Sequence, residues 1–267
     1  MMSKYDTDAL KIADNEVLSV KFANQLKTKL DMNQFITMDY SLAENPGMVK
    51  KVRTYTGTGD VEDLAMGAKN SVVIGAQWVE TPYEVKTTQG TIKHYDEQQM
   101  ADPKAIDAAL ERLSVSIVND NTKKIVAELA KTTHKVSSFD YSFEMIAQAI
   151  ADLPEETNEG LYLLVARKDS AKYQKQLKDS LQYVEAFVRS GYIGTVCGVP
   201  VYLTDAVEAG KAYLATPEAI TCFMKEDARI ETSRDIEARA TTIVGNVVKV
   251  IALTNNDKVI ELSAAAA

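Results

Sequence analysis

Residues 191–220 read GYIGTVCGVPVYLTDAVEAGKAYLATPEAI, and this stretch decides the fold that we predict for the chain of 267 residues. Turn residues, strand residues and short loops recur in it at a regular spacing. Gly191 follows an amphipathic helix, at the place where a residue with positive φ often ends a helix. Gly194 and Gly198 bracket a segment that must turn tightly. The glycines therefore predict a turn cluster that shapes the surrounding unit.

Two short strands are predicted inside this stretch, at 199–203 and 212–215. Pro200 has no amide hydrogen, so the first strand should begin at this proline or leave that side of it unpaired. The second strand leads into a turn at Pro217. Residues 161–166, LYLLVA, read as a buried strand, and an amphipathic helix connects them to the glycine cluster. Strand, helix and strand in succession indicate a compact mixed α+β unit.

The first 45 residues have the pattern of an amphipathic helix, which predicts a helical arm. The apolar side chains recur every fourth residue, at Leu18, Phe22, Leu26 and Leu30. The sequence Asn45-Pro46-Gly47 then ends the arm, because the residue before a proline avoids helical angles. Three lysines lie between the apolar positions, at Lys21, Lys27 and Lys29. They could contact nucleic acid or an acidic scaffold, although a solvated helix face is the preferred interpretation.

Residues 48–100 are predicted to form an extended β-loop, since they are poor in long apolar periodicity and rich in Thr, Val, Lys, Glu and Gly. Within them, EVKTT and TIKHY read as a hairpin about Gln89 and Gly90. Such a loop buries too little to be stable alone, so a neighbouring subunit is expected to supply its contacts. The charged residues expected at these contacts are Arg53, Glu80, Glu84, Lys86 and Lys93.

A long helix is predicted from Asp102 to Lys131, with the acid as its N-cap and Pro103 at its first position. At about 1.5 Å per residue this helix is roughly 45 Å long. It carries one apolar stripe, formed by Ile106, Leu110, Leu113, Ile117, Ile125 and Leu129. A single stripe indicates that the helix lies along a surface. A shorter helix is predicted at 140–153, with Phe143, Ile146 and Ile150 inward.

The C-terminal third is rich in strand patterns. Residues 221–225 and 229–234 read as two strands separated by a turn at Asp227. Two further apolar runs at 238–254 and 258–262 flank a polar loop, which could join antiparallel strands.

Composition is that of an ordinary folded protein, with 46% hydrophobic and 25% charged residues. The net charge of −8 argues against a broad surface that neutralises phosphates. The sequence has no apolar run long enough to span a bilayer and no signal-peptide pattern at its start, so we expect a protein made in the cytosol with no membrane partner. The two cysteines, Cys197 and Cys222, give no disulfide framework and are expected to be free, partly buried thiols.

Catalytic chemistry is not predicted. The two histidines, His94 and His134, would have to serve any Ser-His-acid arrangement, and no serine sits on a nucleophile elbow. Cys197 lies in a glycine-rich turn with no evident base beside it, so a small core residue is the preferred interpretation over a reactive thiolate. The glycine spacing in 191–198 does not match a dinucleotide-binding fingerprint. We expect no cofactor and no metal.

Three stretches, at 191–207, 212–220 and 230–245, resemble the major capsid proteins of tailed bacteriophages, which have the Hong Kong 97-type fold. The order of the elements resembles that family over nearly the whole chain. The resemblance implies an N-terminal arm, an extended loop called the E-loop, a peripheral domain with a long spine helix, and a mixed axial domain. The expected boundaries are 1–47 for the arm, 48–100 for the E-loop, 101–139 with 235–263 for the peripheral domain, and 140–234 for the axial domain.

In this resemblance Gly191, Gly194, Gly198 and Pro200 shape the axial domain. The implied function is assembly without catalysis: subunits form pentamers and hexamers of an icosahedral shell that encloses phage or prophage double-stranded DNA without gripping it. Scaffold and portal proteins are the implied partners, and the shell would be assembled in the bacterial cytoplasm and end in the virion. The chain lacks the long scaffolding segment of the family prototype, so a separate scaffold or an earlier cleavage is expected.

Two alternatives remain open. An encapsulin-type nanocompartment shares the fold but encloses enzyme cargo in place of a genome. A soluble α+β enzyme would be a small discrete particle with a catalytic pocket.

Overall fold

The computed structural model describes residues 32–58, 63–64, 66–67, 69, 75–102, 104–154, 160–173 and 192–264. The predicted helical arm through Leu30, with its three lysines, lies outside the described residues. So do Pro103, Gly191 and the greater part of the helix predicted before Gly191.

Four strands form one sheet, which we call the long sheet. Their order across it is β1 (Thr37–Asp39), β10 (Ile220–Asp235), β11 (Ala240–Leu253) and β4 (Lys86–Tyr95). Strands β10 and β11 pair antiparallel from Ile220 opposite Leu253 to Asp235 opposite Ala240. Strand β4 pairs antiparallel with β11 over its whole length and forms one edge. The long sheet is therefore built around a hairpin of two unusually long strands.

Six strands form the second sheet. Their order is β5 (Lys135–Ser137), β12 (Val259–Ser263), β9 (Lys211–Ala215), β6 (Tyr162–Ala166), β8 (Val199–Thr204) and β7 (Tyr192–Val196). The predicted strands at 161–166, 199–203 and 212–215 are thus confirmed. Every residue of β6 is buried, as expected for a strand covered on both faces.

Two strands form a separate ribbon. Strand β2 (Val49–Thr58) and strand β3 (Gly75–Glu84) pair antiparallel, and each has ten residues. Among the described residues, neither strand pairs with a strand of the two sheets.

The described residues also form three α-helices, α1 (Asp96–Ala101), α2 (Ala105–Leu129) and α3 (Phe143–Ala151), and four short 3₁₀-helices. Helix α2 has 25 residues and is about 37 Å long, which confirms the predicted long helix. The N-cap of this helix is Lys104, so the N-cap predicted at Asp102 is wrong. The carboxylate of Asp102 instead accepts the Lys104 amide at 2.9 Å, just before the first turn. In α3 the side chain of Ile146 is buried, whereas Phe143 is exposed, so the inward placement predicted for Phe143 is wrong.

The apolar stripe of α2 is buried in one core with both sheets. Leu110, Ile125 and Leu129 are fully buried and belong to the same cluster as residues of β6, β9, β10 and β11. A second cluster on the opposite face of the six-stranded sheet contains Ile146 and Leu163. Helix α2 is therefore the element that both sheets share, and burial of each of its larger apolar side chains contributes about 1.5–3 kcal/mol.

The hairpin predicted about Gln89 and Gly90 is wrong. These residues lie inside the continuous strand β4, where Gly90 pairs with Gly245 of β11. Helix α2 crosses the sheet at this position, and a Cβ added to Gly90 would lie 2.1 Å from Leu113 Cδ1. The glycine is thus explained by the close approach of the helix and not by a turn.

Two further predictions in the C-terminal third are wrong. The separate strands expected on either side of Asp227 are the single strand β10, whose pairing with β11 shifts register between Met224 and Arg229. The turn signal at Asp227 marks these β-bulges. The polar loop after β11 does not join paired strands, because β11 lies in the long sheet and β12 pairs with β9 and β5 in the six-stranded sheet.

Each sheet therefore contains strands from more than one of the expected domains. Strand β4 was expected in the E-loop and the strand at 220–234 in the axial domain, yet both lie in the long sheet. Strands β5 and β12 were expected in the peripheral domain and lie in the six-stranded sheet.

A Gly90→Val substitution tests the contact between β4 and α2. Because the buried Leu113 occupies the space of the new side chain, we expect a loss of about 1–3 kcal/mol in the free energy of unfolding. Urea unfolding of the full chain measures it. The double variant Gly90→Val with Leu113→Ala should lose less unfolding free energy than the sum of the losses in the two single variants. Thr91→Val, exposed on the neighbouring position, is the control; equal losses in Gly90→Val and Thr91→Val would contradict this account.

Candidate assembly surfaces

Among the ribbon side chains that the structure describes, the buried one, Val52, lies near the base of the ribbon. Val52 packs in a small cluster with Leu42, Val85 and Phe223, and Tyr83 lies against this cluster. The Val85 amide donates to the Met48 carbonyl at 2.8 Å, which closes the base. Farther out, the apolar side chains of Trp78 and Val79 are exposed.

Three of the predicted contact residues lie together on this ribbon. Arg53 pairs with Glu80 and Val49 pairs with Glu84, so the alternation of side chains places Arg53, Glu80 and Glu84 on one face. The same register adds Lys51 and Trp78 to that face. We call these five residues the ribbon face: Lys51, Arg53, Trp78, Glu80 and Glu84.

Opposite charges are paired along the ribbon face. The Lys51 ammonium lies 2.9 Å from Glu80 Oε1, and Arg53 Nε lies 3.8 Å from Glu80 Oε2. The hydrogen bond from Lys51, with the charges of Lys51 and Arg53, lowers the pKa of Glu80. The Arg53 guanidinium also stacks 5.0 Å from the centre of the Trp78 ring. Exposed pairs of this kind add little to the stability of the chain.

The two other predicted contact residues lie on β4. Lys86 follows Glu84 at the base of the ribbon, next to the ribbon face. Lys93 is seven positions farther along the strand, roughly 23 Å away, where its ammonium lies 5.5 Å from the centre of the Tyr95 ring. The structure therefore brings Arg53, Glu80, Glu84 and Lys86 into one region and leaves Lys93 apart.

Gly198 forms a two-residue turn with Cys197 between β7 and β8. Their φ angles are +80° and +52°, and Val196 pairs with Val199 across the turn. Positive φ at both central residues is the requirement of a type I′ hairpin turn, which explains the glycine. Cys197 is a free, half-buried thiol in this turn, as predicted, and it packs against the second core cluster. Burial raises the pKa of its thiol, which disfavours the thiolate.

Gly194 and Pro200 lie in the two strands that this turn connects. The tight turn predicted between Gly194 and Gly198 is therefore wrong for residues 194–196, which are part of β7. Gly194 pairs with Val201, next to a register shift in β7. Pro200 pairs with Thr195 on one side, while the pairing of β8 with β6 begins only at Val201. The prediction that one side of Pro200 stays out of the ladder is confirmed.

A buried carboxylate that the sequence did not single out holds another loop of the six-stranded sheet. Asp169 is only 3% exposed, and its Oδ2 accepts the Gly210 amide at 2.6 Å while Lys172 lies 3.1 Å from Oδ1. Burial opposes ionisation, but the bonds from Gly210 and Lys172 outweigh it and lower the pKa of Asp169. Because its partner Gly210 lies 41 positions away, no local sequence pattern indicates this contact. Lys51 and Trp78 were also missed, although alternation with Arg53 and Glu80 could have indicated them.

Two sheets joined by a long helix, with a two-stranded ribbon beside them, form the Hong Kong 97-type fold of phage capsid and encapsulin shell proteins, which confirms the predicted α+β class. The capsid protein of a native GTA particle superposes with a TM-score of 0.70 at 9% identity, over 89% of this chain and 90% of that chain. The SrpI encapsulin of Synechococcus elongatus PCC 7942 superposes with a TM-score of 0.62 at 12% identity, over 86% and 85%.

One sequence relative is the major capsid protein of Staphylococcus phage phiMR11. It is 23% identical over 255 residues, a match that covers 93% of this chain and 92% of the relative. No family model matches the chain. In the described part of the chain, none of the helices has both the length and the apolar character needed to cross a membrane.

Substitutions in the Cys197-Gly198 turn test its backbone requirement. Gly198→Ala should lower the free energy of unfolding by about 1–2 kcal/mol, because a side chain is strained at φ +80°. Cys197→Asn should cost less than about 0.5 kcal/mol, since asparagine tolerates positive φ. Urea unfolding measures both, and a larger loss for Cys197→Asn than for Gly198→Ala would refute the turn assignment.

An Asp169→Asn variant tests the buried carboxylate through the pH dependence of stability. The depressed pKa of Asp169 contributes stability above about pH 4, the ordinary value, and this contribution disappears as pH falls through the folded-state pKa. We expect the variant to lose about 1.5–3 kcal/mol relative to wild type at pH 7 and to lose less than this at pH 3, below the ordinary pKa of the group. Urea unfolding at both pH values measures it, with the exposed Asp205→Asn as control. A loss that is the same at both pH values would contradict the assignment.

Proposed function

We propose that the chain is the major capsid protein of a tailed phage or prophage. Copies of it form pentamers and hexamers, and these close an icosahedral shell around double-stranded DNA. The proposal rests mainly on the sequence alignment with a phage major capsid protein. This alignment covers 93% of this chain and 92% of the relative. The shared fold with phage capsid structures supports it independently.

The role of each part follows from its exposed surface. The ribbon acts as the E-loop and lies across an adjacent subunit, which covers side chains that are exposed in the single subunit. The long sheet with α2 forms the peripheral domain, and the six-stranded sheet forms the axial domain near a symmetry axis. This assignment moves β4 and β10 into the peripheral domain and β5 and β12 into the axial domain, in accord with their pairing. The N-terminal arm keeps its expected bounds, 1–47.

The partners of the shell follow from the same proposal. A net charge of −8 lets packaged DNA move during filling, because the shell makes no broad phosphate-neutralising contact. Scaffold and portal proteins take part in assembly in the host cytoplasm, and the product is the virion capsid. The role is structural, and no catalytic step belongs to it.

Encapsulin-type compartments are the second candidate, since the SrpI encapsulin shares the fold. The two functions differ in what the shell contains. Long DNA in purified particles supports the phage assignment, and copurifying enzyme cargo supports the compartment. A soluble enzyme, the third alternative, would remain a small particle under all conditions.

Particle mass is the first test. A single subunit is 29.3 kDa, whereas a closed shell has a mass of megadaltons. Analytical ultracentrifugation of the expressed full chain, with and without a scaffold protein from its own gene neighbourhood, should reveal shells. Monomers or dimers under every condition would argue strongly against the proposal.

A Trp78→Ser variant tests whether the ribbon face contacts another subunit. Trp78 is 54% exposed, so the variant monomer should keep its unfolding free energy to within about 1 kcal/mol. Aromatic residues at the centre of an interface contribute about 2 kcal/mol or more, so assembly should require roughly thirtyfold more protein. Light scattering measures the concentration at which shells appear.

The matched control is Phe143→Ser. Phe143 is similarly exposed, at 52%, but it lies on α3 away from the ribbon. It should assemble closer to wild type than Trp78→Ser does. The interpretation fails if Trp78→Ser assembles like wild type, or if its monomer unfolds.

A further inference from the structure

Exposed apolar side chains lie on both faces of the ribbon. Trp78 and Val79 are consecutive residues of β3, so their side chains point to opposite faces. Trp78 is 54% exposed and Val79 is 64% exposed. If the ribbon lies with one face on an adjacent subunit, that subunit covers one of these side chains and leaves the other in water. The exposure of both therefore indicates a second contact, on the other face of the ribbon.

The face that carries Val79 has no charged side chain among its described residues beyond the base of the ribbon. Val79 pairs with Thr54, and Thr81 pairs with the buried Val52. Gln77 lies two positions before Val79, so the alternation of side chains places it on the same side. We call Thr54, Gln77, Val79 and Thr81 the uncharged face. The ribbon face, on the other side, is charged, so the two sides suit different partners.

At the base of the ribbon, the side that carries Val79 is already covered by a sheet. Val52 packs in one cluster with Phe223 and Val250 of the long sheet, and Tyr83 lies against this cluster. Farther from the base, Val79 is exposed. The side is therefore a sheet face that is packed at one end and open at the other.

The charges on a partner determine how well it fits the uncharged face. A charged side chain that is buried against uncharged residues loses its hydration and gains no opposite charge, which costs free energy. The ribbon face is charged, and the exposed side of the long sheet carries Lys93, Arg229 and Glu231. The uncharged face of a second copy brings only threonine, glutamine and valine, and β-branched residues pack well on a pleated surface. Of these three surfaces, it is the best complement.

We propose that the uncharged faces of two copies stack on each other, with Val79 of each copy at the centre of the contact. The inference rests on the proposed shell function. Because both copies use the same surface, a twofold rotation relates them. Adjacent copies within one pentamer or hexamer are related by fivefold or sixfold rotations, so the stacked ribbons belong to two different rings. The ribbon face then contacts a neighbour in the same ring, and the uncharged face connects that ring to the next.

The size of this contact fits a shell and not a free dimer. The outer part of β2, from Val52 to Thr58, is about 23 Å long and the two strands are about 10 Å wide, so each copy contributes roughly 230 Å². Two copies bury roughly 460 Å², well below the roughly 1,200 Å² of a stable protein–protein interface. The contact therefore forms only when the rings hold the two copies close together, which raises their effective concentration.

Opposite charges at position 79 test whether this face contacts itself. Val79→Lys alone, or Val79→Glu alone, places like charges opposite each other across the twofold axis, so the protein concentration needed for assembly should rise roughly tenfold or more. An equal mixture of the two variants allows lysine to face glutamate and should assemble within roughly threefold of the wild-type concentration. Light scattering measures these concentrations. Because Val79 is exposed, both variant monomers should keep the thermal midpoint of wild type, and a monomer that unfolds overturns the proposal.

Val49 provides the matched control. It is 53% exposed on the same ribbon, but its pairing with Glu84 places it on the side of the ribbon face. An equal mixture of Val49→Lys and Val49→Glu should assemble no better than the better of the two variants alone, because this side meets a different surface. Rescue by mixing at position 79 and not at position 49 supports the proposal. Equal rescue at both positions assigns the effect to net charge and overturns it.

The remaining outcomes separate this contact from the shell function. Val79→Lys and Val79→Glu chains that each assemble like wild type leave the uncharged face without a partner and overturn the proposal. Impaired variants that stay impaired when mixed assign the face to a different surface and also overturn it. The proposed function stands in both cases, because the wild-type chain still forms shells. A wild-type chain that never assembles overturns the proposed function and the contact together.

Cross-linking tests the distance between the two faces. Val79→Cys is made in a background with Cys197→Asn and Cys222→Ala, so that it carries the one thiol of the chain. A bis-maleimide that spans about 10 Å, the spacing of stacked sheets, should join two copies in assembled particles but not in free subunits. Val49→Cys in the same background should give no such dimers. Particles that yield dimers through position 49 and none through position 79 contradict the proposal.

Discussion

The packing of α2 against both sheets is the contact on which the rest of the subunit depends. The helix has one apolar stripe, and that stripe is buried in a single core with strands of the long sheet and of the six-stranded sheet. Gly90 permits this packing where α2 approaches β4, because any larger residue would meet Leu113. With the helix fixed, the two sheets are fixed relative to each other. The two sheets therefore share one core, which the apolar stripe of the helix completes.

The ribbon differs from the two sheets in the balance between buried and exposed surface. Its base is anchored by Val52 and Tyr83, but the strands continue outward with Trp78 and Val79 exposed. A two-stranded ribbon is only marginally stable by itself, so we expect a partner to cover its exposed surface. In the proposed shell, the charged array of the ribbon face gives that partner a defined position. In the proposed shell, assembly and the ordering of the ribbon are therefore the same event.

Sequence patterns predicted those elements whose conformation depends on residues nearby in the chain. The stripe of α2 and the buried strand β6 depend on neighbouring residues, and both were predicted correctly. The turn expected between Gly194 and Gly198 is confined to Cys197 and Gly198. Gly90 and Asp227 were misread because their conformations are set by distant elements. Gly90 responds to Leu113 on α2, and Asp227 lies among the bulges of a strand held by β11. In the same way, the sequence indicated Arg53, Glu80 and Glu84 as charged loop residues, but only the register of β2 and β3 places them on one face.

Hydrogen–deuterium exchange of the same chain as a free subunit and as an assembled particle tests the central claim, that a second subunit completes the ribbon. The account predicts that amides of β2 and β3 exchange much more slowly in the particle than in the free subunit. Amides of α2, which is buried within one chain, should show similar protection in both states. Equal protection of β2 and β3 in the two states would contradict the account, because the ribbon would then need no partner.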